Sequence, residues 1–366
     1  ATGPKSRLFG SFVGGLGIVT VSFILSFYAI VSGWMLAFLL QPVAQLIGLT
    51  ALADWLIVDG VVRNSLFVVV FMLLTIFIIS AGVKEGIEKW ATRLMPSLVL
   101  ILVLLIVYVF TLPGAMEGLR AYLVPDFSVF ARPGLLVSAM GQAFFSLSLG
   151  VGTMLVYGSY ISKSENLPVI GSLVALLDVG IAVLAGLLIL PAMYVALASG
   201  VEIFDAQGGL IAGPGLIISV LPALFDSMGA VGGFVAFAFF ALMAIASLTS
   251  SISMLEVPVS FVVESKGVRR PAAAFLLGSI IALISLVIVF NFDSLFDLVV
   301  TATTEMSQPL LGLFFCVFSG WIWNRATILE EIKQGAPDAA SGFFWRIWPF
   351  YIRFVCPAAI LIVYLQ

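Results

Sequence analysis

The sequence predicts an all-α integral membrane protein folded as one bundle of about nine transmembrane helices. Three observations carry that prediction. Hydrophobic residues fill 62% of the 366 positions and Asp, Glu, Lys and Arg only 10%, against roughly 25% charged residues in a soluble domain. That leaves too little polar surface to coat a soluble globule. The apolar residues also fall in nine runs, most of them near or above the roughly 20 residues that cross a bilayer. The basic residues, finally, lie almost entirely to one side of those runs.

The runs cover 12–46, 65–81, 95–112, 135–160, 169–197, 228–263, 272–290, 298–323 and 344–365. The longest exceed the bilayer thickness and must tilt or protrude. Placing the first residues in the cytoplasm puts Lys5, Arg7, Lys84, Lys89, Arg93, Lys163, Lys266, Arg269, Arg270, Arg325, Lys333 and Arg346 inside, and only Arg63, Arg120 and Arg132 outside. This is a positive-inside distribution, and it predicts a multi-pass protein of the cell's inner membrane with its first residues cytoplasmic. Two outer connections, 114–133 and 200–227, are long enough for short surface helices.

Composition excludes several functions. A net charge of −3 offers no basic patch for nucleic acid. There is no histidine, and Cys316 and Cys356 both fall in apolar runs and read as small core residues. A zinc site, a disulfide framework and an enzyme built on a nucleophile with a base beside it are therefore not expected. No organic cofactor is implied.

The fourth run holds the most informative segment, GQAFFSLSLGVG at 141–152. Two serines and three glycines sit where a spanning helix is normally apolar and unbroken. Gly150 and Gly152 let the backbone leave helical geometry, and freed amides and carbonyls at that depth must face protein or a water-filled cavity. Secondary transporters build midplane sites from such breaks; close packing of small residues is the competing reading. In ASLTSSISM at 246–254, Ala246, Thr249 and Ser250 recur at i, i+3 and i+4 on one helix face. Their oxygens suit a hard cation, although such hydroxyls often bond back to their own helix. Carboxylates inside the membrane are costly and by default functional. Asp178 is the clearest; Glu256 lies toward the cytoplasmic end of its run, and Glu305 sits within TATTEMSQP.

Together these segments resemble the neurotransmitter:sodium symporter family, which has the LeuT-type fold. Residues 141–152 with the following YGSY resemble its unwound sixth helix, and 178–191 its seventh. SLTSS at 247–251 resembles the eighth, FYAIVSGW at 27–34 the third, and GPGLIISVLPALF at 213–225 the outer loop between the seventh and eighth. The resemblance implies a sodium-coupled amino-acid symporter working by alternating access, with Na+ as co-ion and the lipid bilayer as surroundings. It implies that Tyr28 contacts the substrate carboxylate, that Ile24 walls the pocket and that Phe145 forms an aromatic lid. Ser146, Ser148 and Ser250 join the substrate site, and Val151 and Met254 line its side-chain pocket. Ser146 and Asp178 fall on ligands of a first sodium site, and Ala246, Thr249 and Ser250 on those of a second. Ser159, Tyr160, Glu256 and Glu264 fall where the family builds a cytoplasmic gate.

The chain departs from the family pattern in places. Asp178 stands where many members have asparagine, and Ala182 replaces a residue linked to chloride. Val300 takes the place of an acidic outer-gate residue. The family's broken first helix and its second helix have no counterpart. The expected arrangement is a single domain that is an N-terminally incomplete inverted repeat. Residues 1–133 then carry three helices like the end of the first repeat, 134–325 five like the second, and 344–366 an additional helix. The alternatives are a non-transporting fragment of such a symporter, or a proton-coupled carrier of related fold in which Asp178 titrates. The substrate the resemblance implies is a neutral, large apolar or aromatic L-amino acid.

Overall fold

The computed structural model describes residues 4–125, 127–129, 133–206 and 208–364. Among them the elements are helical, apart from one antiparallel bridge between Phe204 and Leu210 in the connection after Ala198. In chain order the helices are α1 (Pro4–Leu46), α2 (Thr50–Ile57), α3 (Val61–Ser80), α4 (Val83–Val109), α5 (Ala115–Leu123), α6 (Pro133–Ser146) and α7 (Thr153–Tyr160). They continue with α8 (Leu167–Ala198), α9 (Leu216–Ser227), α10 (Gly232–Lys266), α11 (Arg270–Phe290), α12 (Phe292–Ile322), α13 (Arg325–Gly335) and α14 (Phe343–Ile362).

Seven of these, α1, α3, α4, α8, α10, α11 and α14, are each long and apolar enough to cross a membrane. An eighth span comes from α12, which turns by 100° into the polar α13. The run at 135–160 is not one helix but two short ones, α6 and α7, with 147–152 unwound between them. Observed helices outrun the apolar runs at polar ends: α1 starts at Pro4 and α4 at Val83. Hydropathy marks the lipid-crossing part of a helix, and Lys5, Arg7, Lys84, Lys89 and Arg93 continue the same helices beyond it.

The core lies where α1 passes between α3, α10 and α11. Val21, Leu25, Ala29 and Ile30 of α1 are fully buried there with Phe71, Ile79, Leu255 and Val259. Gly33 permits a close crossing, since a Cβ on it would lie 3.1 Å from the α3 backbone at Phe67 and Val68. Hydroxyls inside this core bond back to their own helices: Ser26 Oγ donates to Phe23 O (2.7 Å), Ser32 Oγ to Tyr28 O (2.7 Å) and Thr75 Oγ1 to Phe71 O (3.1 Å). Thr75 also meets Ser251 across the α3–α10 contact at 2.9 Å. Where α3 starts, buried Arg63 donates to Leu56 O and Asp59, tying α2 to α3, while the Trp34 indole of α1 donates to Asn64 Oδ1. Cys316 is buried and Cys356 half-buried in one apolar cluster between α12 and α14.

Candidate functional site

The break between α6 and α7 is built residue by residue. Leu149 N–H bonds Phe144 O (2.9 Å) and Ser148 N–H bonds Phe145 O (3.1 Å). That pair of bonds is a Schellman ending for α6, with Ser148 as the left-handed residue at φ 51°. Gly150 and Gly152 then take φ 87°, and α7 restarts after Gly152. Sequence reasoning placed the break at the two glycines. It starts two residues earlier, at a serine in a conformation that usually selects glycine.

Beside the break, Ser146 Oγ donates to Asp178 Oδ1 at 2.6 Å, joining the last residue of α6 to the middle of α8. Asp178 is half-buried and Ser146 exposed. Two oxygen-bearing side chains from different helices therefore converge beside unwound backbone, an arrangement that suits a hard monovalent cation.

On α10, Thr249 Oγ1 donates to Ala246 O at 2.9 Å and Ile245 O at 3.2 Å, so Thr249 and Ala246 stand together. Ser250, one position on, is exposed. Ile24, Val151 and Met254 are buried in one apolar cluster, with Tyr28 and Phe145 packed on its margin. Ser148 is half-buried beside them in the unwound stretch. Val151 packs close to α1, where a Cβ on Gly17 would come within 3.7 Å of its backbone.

At the C-terminal end of α7, that helix is tied to α10 by two rungs spaced one turn apart. Tyr157 Oη meets Ser253 Oγ at 2.9 Å, and Tyr160 Oη donates to Glu256 Oε1. Glu256 is fully buried and its other oxygen accepts from Arg270 Nη1 at 2.7 Å. Of the four predicted gate residues the structure unites Tyr160 with Glu256. It leaves Ser159 exposed and bonded back to Val156 O, and Glu264 exposed near the end of α10. Arg270, which completes the cluster, was legible from sequence only as one more cytoplasmic basic residue. Glu305 is exposed on the π-helical part of α12.

A bundle with a broken helix at mid-span, oxygens gathered at the break and a closed ionic cluster at one end defines a secondary transporter. Residues 48–366 match the Sodium:neurotransmitter symporter family, and the chain belongs to it. Its members are sodium-dependent membrane transporters, not enzymes, and the fold is their LeuT-type bundle. An uncharacterized sodium-dependent transporter of Bacillus subtilis, YhdH, is 30% identical over 383 positions, covering 99% of this chain and 80% of that protein. A second uncharacterized sodium-dependent transporter, from Haemophilus influenzae, is also 30% identical, covering 97% of this chain and 78% of its own length. The crystal structure of MhsT in complex with L-phenylalanine superposes with a TM-score of 0.82 at 34% identity, covering 97% of this chain and 80% of that one.

Proposed function

We propose that the protein couples sodium entry to uptake of a neutral L-amino acid with a large apolar or aromatic side chain, by alternating access across the inner membrane. The observation that carries this reading is the Ser146–Asp178 pair at the unwound hinge. A carboxylate held at a helix break inside the membrane is expensive unless a cation repays it. Ser146 and Asp178 serve a first sodium ion, and the Ala246 carbonyl with Thr249 and Ser250 a second. Tyr28, with unwound backbone around Ser148, takes the substrate's carboxylate and amine. The side chain lies among Ile24, Phe145, Val151 and Met254. Tyr160 and Glu256, with Arg270, close the cytoplasmic side, and Ser159 and Glu264 belong to the same gate in a more open state. Residues 1–133 contribute the end of a first repeat, 134–325 the second repeat and 344–366 an added helix, with the first residues cytoplasmic.

The substrate class follows from the pocket's chemistry. None of its walls carries a charge, so an unpaired side-chain charge would cost several kcal/mol there. A large apolar group gains roughly 1.5 to 3 kcal/mol on leaving water. The similarity to MhsT, solved with L-phenylalanine, supports the same class. A competition panel in proteoliposomes containing the full-length protein tests it. Large neutral amino acids are expected to compete best, and Val151→Phe is expected to shift preference toward smaller ones by about tenfold. Preference for lysine, glutamate or glycine in the wild type would sink the assignment. Asp178 supplies a fixed negative charge and Ala182 offers no hydroxyl, so uptake is expected to be unchanged when gluconate replaces chloride at constant sodium. A dependence on chloride would remove Asp178 from that role.

A further inference from the structure

We propose that Gln308 is a positioning residue for the first sodium site: its side-chain amide latches the end of α6 to α12 and thereby sets where Ser146 lies against Asp178. The inference rests on the sodium-coupled reading above.

Gln308 is 1% exposed, and its Nε2 donates to Phe144 O at 2.7 Å. The same carbonyl accepts Leu149 N–H in the Schellman ending, so the amide bonds directly to the group that terminates α6. Gln308 follows the π-helical stretch Thr301–Ser307 of α12 and opens a regular turn containing Pro309 and Gly312. On that turn Gly312 receives the Phe144 ring, leaving no room there for a Cβ. Gly150 meets it as well, since a Cβ on Gly150 would lie 2.5 Å from Gln308 O and 3.0 Å from Gly312 N. The unwound stretch is thus pinned to a single turn of α12 at its start, through Phe144, and near its end, through Gly150.

The other end of the Gln308 amide argues against a packing role. Its Oε1 is buried with no partner among the described residues. A buried acceptor left unsatisfied is unfavourable, and an apolar side chain of similar length would fill the same space without that penalty. What only the amide supplies is the bond to Phe144. Ser146 stands two residues beyond that carbonyl, so the hinge is held by α12 on one side and reaches Asp178 of α8 on the other. Displacing α6 from α12 requires breaking the latch, and a sodium ion bridging Ser146 and Asp178 favours the position the latch holds.

The test is Gln308→Met in the full-length protein, with Gly312→Ala, which displaces the Phe144 ring, as a second route to the same hinge. In proteoliposomes, Gln308→Met is expected to raise the sodium concentration for half-maximal uptake about three- to tenfold, the range of one net hydrogen bond. Substrate half-saturation at saturating sodium and the melting temperature should stay near wild type. Amide hydrogen exchange of 147–152, which needs no transport, should be faster in both variants. Unchanged sodium dependence with unchanged exchange would overturn the latch. So would a loss of sodium and substrate affinity in parallel with a lower melting temperature, which marks a merely structural residue. If the wild type shows no sodium-dependent uptake, the proposed function fails, and the exchange measurement alone then decides whether Gln308 holds the hinge.

Discussion

Of the apolar stretch of α1, 67% is buried inside the protein; of the corresponding stretch of α8, only 6% is. The stretches of α3, α10 and α11 resemble α1 in this respect, at 56%, 44% and 39%. Their polar side chains differ as well. In the packed group the hydroxyls of Ser26, Ser32 and Ser285 bond back to their own helices. In α6 and α8, Ser146 and Asp178 reach across to each other and keep oxygens available. The packed group is a frame that adds one helix face, at Ala246, Thr249 and Ser250, to the proposed ion sites, and the sparsely packed group carries the pair proposed to bind the first ion. Motion of one against the other is a natural basis for alternating access, because the weakly packed side has little core to tear.

The comparison is most exposed at the contacts that weld the two groups together. Arg270 and Glu256 belong to the frame, while Tyr160 belongs to α7. Arg270→Ala leaves a fully buried carboxylate without its cation, and the expected cost is about 3 kcal/mol. The pathway at that end of the bundle should also open, read as faster labelling of a cysteine introduced at Ser253. Glu256→Gln keeps an acceptor for Tyr160 and leaves unpaired only the Arg270 guanidinium, which is 20% exposed and can be met by water, so it should cost about 1 kcal/mol. Equal costs for the two variants, or unchanged labelling in Arg270→Ala, would show that this cluster does not hold the groups together.

A paired truncation sharpens the contrast within each group. Leu25 of α1 is fully buried and Leu176 of α8 is 68% exposed. In a bilayer the loss on Leu→Ala is chiefly packing, because lipid tails are as apolar as the side chain removed. Leu25→Ala leaves a cavity that neighbours fill only in part, at about 2 kcal/mol, the lower end of the range for buried leucines. Leu176→Ala should fall within about 0.5 kcal/mol of wild type, as surface changes do. Thermal melts of both variants of residues 1–366 in the same lipid decide it. A comparable loss at Leu176 would mean that α8 is packed rather than open in this chain.

The frame was the easier half to read from sequence. Its helices are long apolar runs, and hydropathy finds those because lipid demands them; only polar extensions, as at the start of α1 ahead of 12–46, went unmarked. The pairing of Ser146 with Asp178, and of Tyr160 with Glu256, follows the family resemblance rather than any local pattern. Arg270 and Gln308 were not legible. A side chain's partner across two helices depends on the rotation and depth of both, which one sequence does not encode locally. Arg270 read as topology, and nothing in TATTEMSQP set Gln308 apart from its polar neighbours. Glu264 and Ser159 illustrate the converse, since a family position fixes a place on a helix but not which contacts are made in a given state. The π-helical stretches of α12 also left no sequence signal, being set by what packs against them.

The smallest effect concerns Ser148, where the break begins. Among the described residues it alone combines a side chain with positive φ. A left-handed conformation costs an ordinary residue roughly 1–2 kcal/mol, and glycine escapes that cost while giving up more entropy on folding. Ser148→Gly is therefore expected to stabilise the protein by about 0.5–1 kcal/mol, the size of other conformationally compatible glycine changes. Ser148→Val should destabilise by about 1–3 kcal/mol, because a branched Cβ fits that region poorly. The pair separates backbone from side chain at the proposed substrate site. If Ser148 serves through the carbonyl and amide its conformation exposes, Ser148→Gly keeps those groups and substrate affinity should stay within about threefold of wild type. Should Ser148→Gly instead melt lower than wild type, the hydroxyl makes a contact that outweighs the strain. The hinge would then owe its shape to that contact rather than to the two glycines that follow.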